Sequence, residues 1–468
     1  MEQAGQGAAL DFLEQVGEHG GTTLVACGRG NNGGDGFVFA RALHDAGHPV
    51  ALFFSGGEPT PDCATNLERA TGLGIALHRD LEAALDETAG RWVVDALLGS
   101  GFAPPLREPM ATFARQLRDC GRRVYALDAP TGIDADSGAV DPGTPMAERT
   151  VVFGPPRLGM FRPPARAHCG RVQLIDPGFD PGVVESECAG FAPEVAWIDR
   201  DHAAAHWPRR AIDAHKYRAG SLLIVAGSAG MSGAAALAAT ASHRAGAGLV
   251  EVLTPAPVAP VIDGLTPESL VRGLAATEAG GFAPDLEDGI LQRAAGRSAV
   301  LLGCGVGDDP DAARLMVNLC ARIDAPLLVD ADGLNAFGRT GSDVRLPGSA
   351  VITPHAGELS RLLGITASEV EADRLLSAGD AAARFGCTVL LKGGPTVVAA
   401  PDGRMALVGS GGPELATAGS GDVLAGVIAA LLAAGLDPFD ASTCGAWIHG
   451  RAGERLVAEF GTAGVVAS

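Results

Sequence analysis

Several short stretches of this chain combine glycines with acids, amides or a lysine in the way that anion and nucleotide sites require. Gly28-Arg29-Gly30-Asn31-Asn32-Gly33-Gly34-Asp35-Gly36 follows the apolar run Thr22–Cys27 and leads into an amphipathic run, Phe37–Ala46. Glycines let a backbone turn sharply and approach a ligand closely, and free amides at a helix start are donors for an anion. A tight structural turn would use the same glycines, but Asn31, Asn32 and Asp35 add carbonyl and carboxylate oxygens in a confined space. Two more apolar runs end alike, in Asp95-Ala96-Leu97-Leu98-Gly99-Ser100-Gly101 and in Asp128-Ala129-Pro130-Thr131-Gly132. If the three runs are parallel strands of one sheet, Asn32, Asp95, Asp128 and Thr131 converge on the edge where open α/β sheets bind ligands. Hard oxygen donors suit K+ or Mg2+, and a carboxylate beside a bound substrate suits general acid–base work. The plainer alternative is that Asp95 and Asp128 cap the turns that follow them.

The second half repeats the pattern with different chemistry. Ser221–Ala226 enters Gly227-Ser228-Ala229-Gly230-Met231-Ser232-Gly233-Ala234, and Leu301–Gly307 is a second run with a glycine-rich exit. Lys392-Gly393-Gly394-Pro395-Thr396 puts a cation and a hydroxyl in a glycine turn, which suits nucleotide phosphates. Thr353-Pro354-His355-Ala356-Gly357-Glu358 sets a histidine where a strand meets a helix, although a lone histidine serves equally well as a satisfied core residue. The sharpest signal is Gly419-Ser420-Gly421-Asp422 opening a long apolar run. Its amides face an anion, and Asp422 is placed to act as base in a phosphoryl transfer.

The elements that must hold these residues are short apolar runs alternating with amphipathic ones, the mark of a parallel sheet covered on both faces. Strands are expected at Thr22–Cys27, Val50–Phe54, Trp92–Ala96, Val124–Asp128, Arg149–Phe153 and Val172–Ile175, with helices between them such as Thr112–Cys120. From Asp176 to about Arg200 the alternation lapses into Pro, Gly and acidic residues, so a linker is expected there. It resumes at Leu222–Ala226, Leu249–Leu253, Val300–Leu302, Leu327–Val329, Ala350–Ile352 and Thr388–Leu391, and closes with helices at Gly421–Ala434 and Ala441–Glu459. The fold class is α/β with two domains, 1–190 and 200–468, the first a Rossmann-like doubly wound sheet.

Composition limits the partners. A formal net charge of −20 lacks the basic surface that phosphate backbones attract, so no nucleic acid is expected. The nine cysteines are scattered without metal-like spacing and read as reduced, mostly buried thiols. No run approaches the roughly 20 apolar residues of a membrane span, and Met1–Leu10 has no signal-peptide pattern. A cytoplasmic protein acting on small molecules, without a membrane partner, is the expectation.

The trio NNGGDG, DALLGSG and LDAPTG, in this order, resembles the epimerase domain of the NAD(P)H-hydrate repair family over roughly residues 1–175. The resemblance implies that Asn31, Asn32, Gly33, Gly34 and Asp35, with Gly99, Ser100, Gly101, Phe102, Ala103, Pro104 and Pro105, surround the hydrated nicotinamide nucleotide. It also implies K+ on Asn32, Asp95 and Thr131, and Asp128 at the reacting ring. Relatives often carry Ser where this chain has Thr131, which keeps the hydroxyl. MEQAGQGAA looks like the interior of the family's first long helix, so a preceding segment is expected to be missing; at the other end relatives continue into another short helix.

HKY (His215–Tyr217), GSAGMSGAA, GCGVG, DADGLN (Asp330–Asn335), TPHAGE, LKGGPT and ATAGSGD together resemble the ADP- or ATP-dependent NAD(P)H-hydrate dehydratase over about residues 200–467. That resemblance implies a ribokinase-like domain. Ala234, Gly307, His355 and Asp422 would contact substrate, and Lys392, Gly393, Gly394, Pro395, Thr396 and Gly421 would hold ADP (or ATP), with Mg2+ as companion. The C6 hydroxyl is phosphorylated with Asp422 taking its proton, and phosphate then leaves. A homo-oligomer is implied by resemblance alone. The expected function is repair of hydrated NADH and NADPH by epimerisation and dehydration. A ribokinase-like small-molecule kinase with a non-catalytic first half is the alternative, and a nucleotide sensor without turnover is disfavoured by Lys392 and Asp422.

Overall fold

The structure is a computed structural model that describes residues 1–16, 21–188, 195–210, 212–213, 215–341 and 345–468. The chain divides into two compact units, Met1–Phe191 and Ala192–Ser468.

The first unit holds strands β1 (Thr23–Cys27), β2 (Val50–Phe54), β3 (Ala76–His78), β4 (Trp92–Ala96), β5 (Arg123–Leu127), β6 (Ala147–Phe153) and β7 (Arg171–Ile175). They form one sheet in the order β3-β2-β1-β4-β5-β6-β7, and every pairing is parallel. The central strands β1 and β4 are buried along their whole length, as continuous apolar runs covered on both faces must be. The chain winds one way from β1 to β3 and the other way from β4 onward, so the loops after β1 and β4 part and leave a crevice between them. Ala26, Asp95 and Ala126 are level across β1, β4 and β5, which sets Asp95 at the lip of that crevice. The helix Glu2–Val16 anchors to the sheet through fully buried Phe12, which meets Phe39, Trp92 and Tyr125 edge-on.

The six strands expected in this half are present, with ends shifted by a residue or two; β3 was not foreseen. A larger difference concerns the glycine segment. Residues from Asn31 onward are already helical, in Asn31–Asp45, rather than a loop before a helix at Phe37. Glycine is required there by crowding: a Cβ on Gly33 would lie 1.8 Å from the Gly28 carbonyl oxygen, and one on Gly28 would lie 1.9 Å from that of Leu97.

The second unit holds β8 (Val195–Ile198), β9 (Ser221–Val225), β10 (Leu249–Pro255), β11 (Leu270–Leu274), β12 (Ala299–Leu302), β13 (Leu327–Val329), β14 (Ala350–Ile352), β15 (Thr388–Leu391), β16 (Thr396–Ala399) and β17 (Met405–Val408). Their order is β11-β10-β9-β12-β13-β14-β15-β16-β17-β8. The pairings are parallel except for the antiparallel β15–β16 and β16–β17 pairs. Here the winding reverses between β9 and β12. The apolar helix Ser420–Ala433 lies on Ser232–Ala245 so closely that a Cβ on Gly426 would meet the Ala238 carbonyl oxygen at 2.2 Å. Small residues at that crossing allow the approach.

The expected linker is partly structured: Pro181–Cys188 is helical, β8 joins the second sheet beside β17, and residues 189–194 lie outside the described residues. Among the described residues, no helix is long and apolar enough to cross a membrane.

Candidate functional site

In the first unit the ends of β1, β4 and β5 meet as the sequence suggests. Asn32, buried in the first turn of its helix, donates through Nδ2 to the Leu98 carbonyl at 2.9 Å and the Leu127 carbonyl at 3.1 Å. Both amide protons are thereby used, and its Oδ1 is buried with no hydrogen-bond partner. Asp95 is fully buried and accepts from the Thr131 hydroxyl (2.7 Å), the Thr131 amide (2.8 Å) and the Leu97 amide (3.2 Å). Burial pushes its carboxyl up to about 6 in spite of those donors. Three oxygen-bearing side chains, one of them an orphaned buried carbonyl, make a donor set that fits a hard cation such as K+.

Asp128 follows β5 in a left-handed conformation (φ 63°), sparsely populated for a residue with a Cβ. Its Oδ2 accepts from the Ser100 amide at 2.7 Å, and a Cβ on Gly99 would come within 2.4 Å of that oxygen. Burial pushes the nearby Asp35 carboxyl up to about 7, and the charge of Asp128 adds to the rise. Two acids, Asp35 and Asp128, therefore share one end of the crevice, an arrangement suited to moving a proton. The other predicted contacts are less concentrated. Asn31 is exposed and accepts from the Thr60 hydroxyl at 3.2 Å. Gly101, Ala103 and Pro105 are exposed in the loop after β4, whereas Phe102 packs against the buried cluster of Leu106, Ala111 and Ala114 and pins that loop.

In the second unit a charged cluster sits beyond the ends of β13, β14 and β15. Lys392, at the end of β15, bonds Asp330 Oδ1 through Nζ at 2.7 Å and stands 3.7 Å from Glu358. Burial works against its charge, but the two carboxylates outweigh it and its pKa is raised. A Cβ on Gly421 would lie 3.6 Å from Lys392 Nζ, so the helix start and the lysine face each other. Gly419 (φ 85°) turns the chain into that helix and leaves its first amides without a side-chain cap. Burial pushes Asp422 up to about 6, with the charges of Asp330 and Asp332 acting in the same sense, against the Cys304 thiol bonded to it and Lys392.

His355 is half exposed and caps its own helix: its Nδ1 accepts from the Gly357 and Glu358 amides at 3.0 and 3.2 Å, while Glu358 accepts from the His355 amide at 2.8 Å. The ring's Nε2 stands 3.5 Å from Glu358 Oε1. Gly307 (φ 91°) donates its amide to Asp332 at 2.8 Å, and Ala234 lies beside Gly305. Ala331, like Asp128, is a non-glycine residue at positive φ (52°); among the described residues these two are the only ones, and each lies just past a strand end, of β13 and β5 respectively.

The sequence reading missed four residues that build this cluster. Asp330 and Glu358 were quoted only within motifs. Cys304 passed for core filling, yet its thiol bonds Asp422. Arg374 went unnoticed altogether: buried, it donates to the carbonyls of Lys392 (2.8 Å), Leu391 (3.1 Å) and Pro395 (3.1 Å), bracing both sides of the Gly393-Gly394 turn, and pairs with Glu371 at 2.7 Å. The available signal was a cation at the first position of a helix, where the macrodipole disfavours it.

Comparison with known proteins agrees with this division. Residues 222–468 match the family described as NAD(P)H-hydrate dehydratase, and residues 1–159 match the family described as YjeF-related protein N-terminus. The bifunctional NAD(P)H-hydrate repair enzyme Nnr of Moorella thermoacetica is 36% identical over 461 residues, 95% of this chain and 85% of that one. Its namesake from Salinibacter ruber is 36% identical over 488 residues, covering 100% and 89%. Among solved structures, the ADP/ATP-dependent NAD(P)H-hydrate dehydratase of Bacillus subtilis, co-crystallised with ATP/Mg2+, is 28% identical with a TM-score of 0.51, covering 59% of this chain and 95% of that chain. With its two units, two crevices and near full-length relatives, the chain belongs to the bifunctional NAD(P)H-hydrate repair enzyme family.

Proposed function

We propose that this protein restores hydrated NADH and NADPH. The first unit interconverts the R and S epimers at C6, and the second dehydrates the S epimer using a nucleotide phosphoryl group. The observation that carries the reading is a facing pair in the second unit, a helix start with uncapped amides and Asp422 on one side and Lys392, at the end of β15, on the other.

In the dehydratase, Lys392 and the braced Lys392–Thr396 turn hold the phosphates of ADP or ATP, and the amides at Gly421 face the transferring phosphoryl group. Asp422 takes the proton of the C6 hydroxyl as its oxygen attacks phosphorus and the nucleotide's P–O bond breaks. The C6–O bond then breaks, phosphate departs with the bonding pair, and loss of the C5 proton restores the ring double bond. Mg2+ held by the nucleotide's own phosphate oxygens would supply charge neutralisation. Ala234, Gly307 and His355 shape the substrate side. In the epimerase, Asn32 Oδ1, Asp95 and Thr131 would hold K+ and fix the crevice floor, while Asp128, oriented by the Ser100 amide, works on the nicotinamide ring. The cytoplasm is the compartment this reading implies, and a homo-oligomer its assembly.

The test mixes both epimers of hydrated NADH, K+, Mg2+ and either ADP or ATP with the protein and follows the near-ultraviolet absorbance of reduced nicotinamide. Recovery of both epimers faster than they interconvert spontaneously, with release of inorganic phosphate, is expected. Recovery of the S epimer alone would remove the epimerase half of the proposal, and a stable phosphorylated product would replace the dehydratase with a kinase.

A further inference from the structure

A cluster unrelated to either crevice joins the first helix of the second unit, Arg200–His206, to its last, Pro438–Phe460. His202 and His206 are four residues apart on one helical face, with rings stacked 4.4 Å between centroids, and Asp440 projects from the facing helix. One ligand atom from each of the three lies within 4.8 Å of the others.

The hydrogen bonds fix the proton on each ring. His206 Nδ1 is 2.9 Å from the His202 carbonyl oxygen, which can only accept, so His206 carries its proton on Nδ1 and presents an Nε2 lone pair. The Thr443 hydroxyl donates to the Asp440 carbonyl at 3.2 Å and so is left to accept from His202 Nε2 at 3.3 Å. His202 therefore carries its proton on Nε2 and presents an Nδ1 lone pair. A second-shell carbonyl or hydroxyl that holds the far ring nitrogen as donor is how protein metal sites orient histidine ligands.

We propose that His202, His206 and Asp440 form a site for a divalent transition metal of the zinc class. Two imidazoles and one carboxylate select zinc or its neighbours over Mg2+ or Ca2+, which prefer all-oxygen sets. Three protein ligands leave a fourth position for water. Bound there, the metal clips the segment that carries β8 to the C-terminal helix, so it acts on the stability of the second unit and not on the repair chemistry.

The experiment uses the full-length protein stripped of metal. Zn2+ titration with calorimetry and elemental analysis is expected to give one tightly bound ion per chain, weakened at least ~10-fold in His206→Ala and in Asp440→Asn. Zn2+ should raise the Tm of the wild type and leave that of His206→Ala in place, with dehydratase turnover unchanged in both. Co2+ in place of Zn2+ should show visible ligand-field bands without a thiolate charge-transfer band. Absence of stoichiometric binding, binding indifferent to both substitutions, or a thiolate band would each overturn the proposal.

Discussion

Asp422 is asked to be a base in a place that favours its proton. Its carboxyl is raised from 3.8 to about 6, chiefly by burial. The stability this group contributes is therefore complete below the unfolded value and is lost as pH rises through about 6. Asp422→Asn, which cannot ionise, should melt higher than the wild type at pH 8 while dehydration falls about 10²–10⁴-fold. In the wild type the dehydration rate should climb as pH rises through about 6, and a thermal melt beside a rate profile checks both. In the other crevice, Asn32→Ala removes the orphaned oxygen together with two bonds to strand-end carbonyls. Epimerisation in that variant should lose its response to added K+, measured on R-epimer consumption, while dehydration of the S epimer is preserved. At this scale much of the site was legible, because glycine, acid and lysine at strand ends are local signals. Arg374 was not, since it acts across 18 residues through carbonyl oxygens, which every residue possesses.

Elements position these residues, and the bracing of the Lys392–Thr396 turn shows how. Arg374 fills its underside so completely that a Cβ on Gly393 would lie 2.6 Å from the guanidinium. Arg374→Met keeps much of the volume but strands three carbonyls, at about 1–3 kcal/mol each where they stay buried. The expected result is a KM for ADP or ATP raised about tenfold or more with the KM for hydrated NADH near the wild-type value, read from initial rates, and Arg374→Lys recovering part of the loss. Strand prediction failed where burial is weak or the run is short. β3 has three residues and begins exposed, and β11 is an edge strand whose pattern is mostly open to solvent. The β16–β17 hairpin carried a readable turn, Pro401-Asp402-Gly403-Arg404, between two apolar fours, yet stood apart from the βα rhythm that guided the reading. β8 was lost inside a segment rich in Pro and Gly.

On the scale of the whole chain, each unit has its own sheet and its own buried core, so each should unfold as its own cooperative transition. Calorimetry of the intact protein should resolve two endotherms. ATP with Mg2+ should raise only one of them, the one that Asp422→Asn also shifts, because ligand binding stabilises the fold that carries the site. The division of labour between the units was plain from motif order; the residue at which one yields to the other was not, because β8 belongs to the second sheet yet lies within a stretch that reads as connector. Every described residue assigned to a crevice comes from the unit that houses it. Damage to one chemistry is thus invisible to the other, and a chain broken at Asn32 can share a solution with a chain broken at Asp422 and have its deficit made good in trans. Two alleles, each unable by itself to restore both epimers, would complement.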